Sequence, residues 1–137
     1  ADLAVRNLGY ADAMEVRRDR LEAGVRELVP DAELNGHRDR RLPNLLNMTL
    51  PGLRGESLVI AMDQHGISLS SGSACKSGSP DPTHVLMAMG RTVEQAHCSV
   101  RFSLSHATTD QDIDETIAAL GRVLEEMENT VRFLPCK

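Results

Sequence analysis

Ala11, Met14, Leu21, Val25 and Leu28 recur at helical spacing between Asp2 and about Val29, while Arg17, Arg18, Asp19, Arg20 and Glu22 fill the opposite face. Pro30 ends the amphipathic helix that this pattern predicts. Beyond a short apolar step to Leu34 and an Asn35-Gly36 turn, Leu46, Met48 and Leu50 alternate with Asn47 and Thr49, the period of a half-buried strand. Leu58, Val59 and Met62 mark a helix from about Glu56, with Gly66 in the position favoured beyond a helix end. Ile67 and Leu69 alternate with serines and predict a second strand. Pro82 suits the first turn of a further helix, Thr83 to Met89, and Thr92 with Gln95 has capping-box spacing for one more helical turn. Val100, Phe102 and Leu104 alternate with Ser99, Arg101 and Ser103 in a third strand, which turns Arg101 away from the core. Ile113, Ile117, Leu120, Leu124 and Met127 then form one stripe of a long helix capped by Thr109. Helices interspersed with about three strands predict an α/β or α+β fold, a small sheet packed against helices.

The 137 residues suit one domain, residues 1–137, with a single core. One Tyr, two Phe and no Trp leave that core to aliphatic residues and methionine. A net charge of −5 argues against a nucleic-acid surface. The one basic cluster, Arg38, Arg40 and Arg41, reads as a solvated loop before Pro43. No apolar run approaches the roughly 20 residues that span a bilayer, and no signal peptide is visible, so the expected location is the cytoplasm. Helical patterning starts almost at Ala1, which leads to the expectation of a piece cut from a longer polypeptide. Cys75, Cys98 and Cys136 form neither a Cys-x-x-Cys pair nor an even framework, so neither a disulfide scaffold nor a zinc site is expected.

Cys75 is the leading candidate for chemistry. It stands in the run Ser70-Ser71-Gly72-Ser73-Ala74-Cys75-Lys76-Ser77-Gly78-Ser79, where little hydrophobic mass is available to bury it and Lys76 favours the thiolate, the nucleophilic form. Cys98, at the start of a strand, and Cys136, near the end, read as incidental. His84, His97 and His106 follow at irregular spacing that places no two on one face for a metal, and no metal site is expected. Arg101 on a polar strand face could hold a carboxylate in a bidentate fork or be an ordinary surface arginine. The glycine- and serine-rich loop lacks the residue order of a phosphate-binding loop, since Lys76 precedes Gly78.

A series of motifs in fixed order resembles the NifS-like cysteine desulfurases, pyridoxal-phosphate enzymes of the class V aminotransferase group. They are Leu42-Pro43-Asn44 with Leu46-Asn47, Gly55-Glu56-Ser57-Leu58, Ile67-Ser68-Leu69-Ser70-Ser71-Gly72-Ser73-Ala74-Cys75, His84-Val85-Leu86 after Pro82, Met89-Gly90, and Ser99-Val100-Arg101-Phe102-Ser103-Leu104. The resemblance implies the small C-terminal domain of the aspartate aminotransferase superfamily. It implies an activity that converts L-cysteine to L-alanine and a persulfide on Cys75, carried by a long mobile catalytic loop, with Arg101 pairing the substrate carboxylate. It also implies a homodimer and a sulfur-acceptor protein such as an iron-sulfur scaffold or a thiolation partner. Ser105-His106-Ala107-Thr108 stands where the family usually continues Gly-Arg-x-Thr. The family's large domain, with its cofactor lysine, is not in this sequence, whose only lysines are Lys76 and Lys137. The isolated chain is therefore expected to be inactive and to need a large domain or partner chain that carries the cofactor. Two other readings stay open: a free-standing persulfide carrier or interaction module, and one half of a split desulfurase.

Overall fold

A computed structural model describes residues 8–72 and 83–133, with side chains described for 9–72 and 83–127. Among these residues, one 3-10 turn, Leu8–Tyr10, leads into helix α1, Ala11–Leu28. There follow β1, Glu33–Leu34; β2, Leu45–Thr49; α2, Gly55–Gln64; β3, Ser70–Ser71; α3, His84–Ala88; α4, Val93–His97; β4, Ser99–Ser103; and α5, Asp110–Phe133. The strands form one sheet in the order β1-β2-β4-β3, antiparallel throughout.

The main core lies on one face of this sheet. Leu46, Met48, Val100 and Phe102 project from β2 and β4 toward Leu21 and Val25 of α1, Leu58 and Met62 of α2, and Ile113, Leu120 and Val123 of α5. Each helix contributes the stripe that its 3.6-residue period places on one side, and burying these stripes together holds the layers in contact. α1 and α5 approach closely where Gly24 meets Ile117: a Cβ at position 24 would stand 2.5 Å from Ile117 Cδ1. The long strands β2 and β4 pair over five positions, from Leu45 with Ser103 to Thr49 with Ser99.

Several expectations hold, and others are corrected. The α5 stripe, the β2 and β4 alternation and the Gly66 helix end are observed, the last with φ +77° in the left-handed region that glycine enters without strain. The Thr92 capping box is also formed: Gln95 N–H donates to Thr92 Oγ1 at 3.2 Å and Thr92 N–H to Gln95 Oε1 at 2.9 Å. Among the described residues four strands stand where about three were expected, because Glu33 and Leu34 pair with Thr49 and Met48. The second predicted strand is displaced from Ile67–Leu69 to Ser70–Ser71, the two residues that reach Arg101 and Val100 of β4. α3 begins at His84 behind Thr83, and Pro82 lies outside the described residues. The first helix proper begins at Ala11, and residues 1–7 lie outside the description.

The basic cluster divides. Arg38 and Arg40 are exposed. Arg41 folds back onto α1, 3.0 Å from Asp19 and 2.6 Å from Glu22. Arg18, 1% exposed, donates to the Leu42 carbonyl at 2.9 Å and is paired with Glu15 and Asp19. These contacts fix the segment leading into β2 against α1, and they leave Arg41 neutralised rather than available to a polyanion.

α5 opens with a reciprocal cap. Asp112 N–H donates to Thr109 Oγ1 at 3.1 Å, while Asp112 Oδ2 accepts from Thr109 N–H at 2.7 Å and from its hydroxyl at 2.8 Å. The backbone bond first, and then the hydroxyl, stabilise the carboxylate and hold its pKa below the ordinary Asp value. A folded-state pKa lowered in this way adds stability above the unfolded value, and that stability is lost as the pH falls through the folded value. An NMR titration of the Asp112 carboxyl carbon should therefore show a midpoint below the ordinary Asp value, with the first turn of α5 loosening over the same pH range. A midpoint at or above the ordinary Asp value would contradict the cap.

Candidate functional site

Arg101 stands between two core residues, Val100 and Phe102, so strand alternation sends its side chain off the opposite face of the sheet. In register beside it are Asn47 on β2 and Ser70 on β3. An open groove of about 350 Å³ lies over this face. Leu45, Asn47 and Arg101 line it from the sheet, Leu42 from the preceding segment, and Val85 and Met89 from the region of α3. Gly72 and Thr83, the described residues that flank positions 73–82, line it as well. Leu42, Val85 and Met89 are exposed, so the groove has an apolar rim and a cationic group at its base.

The Arg101 guanidinium is only partly satisfied. One terminal nitrogen, Nη2, approaches Ser70 Oγ at 3.4 Å, a long contact, and the buried Nε–H has no acceptor among the described residues. A buried donor without an acceptor costs free energy, whereas a guanidinium offers paired donors matched to the two oxygens of a carboxylate. The arrangement is therefore suited to receiving an anionic acceptor. The turn behind Arg101, where the sequence reads Ser105-His106-Ala107-Thr108, closes on its own side chains: Ser105 N–H donates to Thr108 Oγ1 at 2.9 Å and Ala107 N–H to Ser105 Oγ at 3.2 Å.

The other candidates are dispersed. Cys75 and Lys76 lie outside the described residues, as do Cys136 and Lys137. Cys98 is a free thiol, 3% exposed, between α4 and β4. His84 opens α3 on the surface, His97 ends α4 in a small cleft with Arg54 and Glu56, and His106 lies in the β4–α5 turn, its ring centroid 6.0 Å from that of Tyr10. No group of three or more His, Cys, Asp or Glu side chains among the described residues is placed to hold a metal ion. No helix among them is long and apolar enough to cross a membrane.

A buried polar cluster beside the groove was not singled out by sequence. Asn35, Thr49 and Ser99 are buried and joined by hydrogen bonds, and Asn35 also reaches Asn47 at 2.8 Å. Asn35 reads in sequence only as a turn residue before Gly36, and Asn47 and Thr49 only as the polar half of an alternation. Their convergence depends on the pairing of β2 with β4.

The family model for class-V aminotransferases matches residues 7–116. The chain belongs to the aminotransferase class-V family. Within this family it is 43% identical over 112 residues to the cysteine desulfurase NifS of Azotobacter vinelandii, covering 82% of this chain and 28% of that one. It is 41% identical over 128 residues to a cysteine desulfurase of Nostoc sp., covering 93% of this chain and 32% of the relative. The solved structure of a NifS-like protein from Rickettsia africae superposes with a TM-score of 0.76 at 29% identity, covering 90% of this chain and 31% of that one. This class-V chain thus spans about 30% of the length of these relatives, which matches the expectation of a NifS-like segment with the mixed α/β fold described above.

Proposed function

We propose that this chain is the part of a cysteine desulfurase that receives sulfur and holds the substrate carboxylate. In the reaction L-cysteine becomes L-alanine and the sulfur passes to Cys75, whose thiolate forms the S–S bond of a persulfide as the carbon–sulfur bond breaks. Arg101 clamps the carboxylate. The single observation that supports this most directly is the under-satisfied Arg101 guanidinium at the base of a groove whose lining includes both residues flanking positions 73–82. Cys75 is three residues from Gly72, and three residues of chain reach no more than about 11 Å. Delivery of the sulfur then requires an acceptor protein, for which an iron-sulfur scaffold is the chemical fit, in a homodimeric enzyme working in the cytoplasm.

Pyridoxal phosphate would supply the electron sink for carbon–sulfur cleavage. The described groove does not fit it as a holder. Its walls are aliphatic apart from a few Asn, Thr and Arg groups, and no lysine is among the described residues, because the two lysines are Lys76 and Lys137. A second module carrying the cofactor lysine is needed, and the 137 residues alone should be inactive. Mixed with L-cysteine and pyridoxal phosphate, the chain should release neither alanine nor sulfide; exposed to a persulfide donor, it should retain one added sulfur on the peptide containing Cys75. Alanine release by the isolated chain would overturn the proposed division of labour. Sulfur retained elsewhere, or nowhere, would overturn the role of Cys75.

A further inference from the structure

We propose that Asn47 is a second donor to the anion held by Arg101, oriented for that task by the buried cluster beneath it. The two residues face each other directly across β2 and β4, a spacing that leaves Cβ atoms on the same sheet face roughly 5 Å apart. Both line the groove.

The orientation of the Asn47 amide follows from counting protons. Ser99 Oγ donates its only proton to the Gln95 carbonyl at 2.7 Å. Thr49 Oγ1 lies 2.9 Å from Ser99 Oγ, so its proton fills that contact. The Asn35 side-chain atom 3.0 Å from Thr49 Oγ1 must then be a donor, Nδ2. In this orientation the contact left without a proton is the long one, Thr49 Oγ1 to Asn35 Oδ1 at 3.2 Å, whereas Asn35 Nδ2 faces only acceptors, Thr49 Oγ1, Ser99 Oγ at 3.2 Å and Asn47; with the amide reversed, an oxygen would face all three. The same Asn35 Nδ2 carries a second proton and lies 2.8 Å from Asn47, which must therefore turn Oδ1 toward it. Asn47 Nδ2 is left over, without an acceptor among the described residues, on a half-buried side chain that borders the groove.

The sheet face thus brings the Arg101 guanidinium and the Asn47 amide to one space, with Arg101 Nε–H and Asn47 Nδ2 both without an acceptor among the described residues. A carboxylate offers an oxygen to each. Asn35 acts through Asn47 and is a positioning residue. The inference rests on the reading of Arg101 as a carboxylate clamp and adds the residue that orients the carboxylate's second oxygen.

The test uses the nitrogen-labelled chain and L-alanine, with L-alaninamide as the uncharged control. The side-chain resonances of Arg101 Nε–H and Asn47 Nδ2 should shift together and saturate at a common midpoint with L-alanine, and neither should move with the amide. Asn47→Leu, which keeps the size without the donor, should weaken binding about tenfold, the weight of one hydrogen bond to a charged group. Because the resonance readout is on the unaltered protein, misfolding of the variant cannot decide the matter. An Asn47 resonance that stays fixed while Arg101 shifts would sink the role of Asn47 and leave the clamp standing. If neither resonance moves, both ideas fail, whereas sulfur handling at Cys75 is read independently by mass.

Discussion

Serine in place of Cys75 should reduce sulfur uptake from a persulfide donor to background, while Cys98→Ala should leave it unchanged. The reason lies in access and ionisation. A thiol must reach solvent and ionise before it attacks sulfur. Cys98 does not reach solvent readily: it is 3% exposed between α4 and β4, where its backbone N–H is held by the Glu94 carbonyl at 3.0 Å. Cys75 sits among Gly, Ser and Lys76, and serine at that position keeps the shape of the side chain but removes the soft nucleophile. Peptide mass spectrometry before and after loading measures the added sulfur at each site. Uptake that survives Cys75→Ser would move the sulfur-handling role to another cysteine and leave the groove at Arg101 without its nucleophile.

The elements with strong periodicity were legible in the sequence. α5 keeps Ile113, Ile117, Leu120, Leu124 and Met127 on one stripe over four turns, and β2 and β4 alternate across five residues each, so local spacing alone reveals which face is buried. What was missed depends on contacts distant in sequence. β1 is two residues long, and nothing in Glu33–Leu34 marks a strand except the partners Thr49 and Met48. β3 consists of two serines, residues of weak strand preference, and forms because β4 offers an open edge to them rather than to the more apolar Ile67 and Leu69.

The site shows the same division. Arg101 could be assigned to the outer strand face from alternation, and Cys75 could be singled out from the composition of its neighbours. The Asn35, Asn47, Thr49 and Ser99 cluster could not, because four unremarkable polar residues separated by up to 64 positions meet only once the strand register is known. Each looks locally like a turn residue or a solvent-facing strand residue. A polar residue in an alternating strand is therefore ambiguous until its cross-strand partner is identified: on β2, Thr49 proves fully buried and Asn47 only half-buried.

Phe102→Ala should destabilise the fold by about 3–5 kcal/mol, measured as a lowered denaturant midpoint. Phe102 is 3% exposed and sits opposite Leu46 in the central strand pair, in the cluster that also takes in α1, α2 and α5. It is the only aromatic ring in the core among the described residues, so its removal leaves a void that aliphatic neighbours fixed on three helices cannot readily fill. Domains of this size are stable by roughly 5–15 kcal/mol, which makes the loss a large share of the total. Ile60→Ala is the matched control: Ile60 lies on α2 but is 64% exposed, and its truncation should change stability by no more than about 0.5 kcal/mol. The core mutation should also reach the groove, because Phe102 and Arg101 are consecutive on β4 and their side chains share one backbone anchor. In Phe102→Ala, alanine binding at Arg101 should weaken even at temperatures where the chain remains folded. A loss below about 1 kcal/mol would mean that the β2–β4 register does not place this ring in the core, and the placement of Arg101 opposite Asn47 would fall with it.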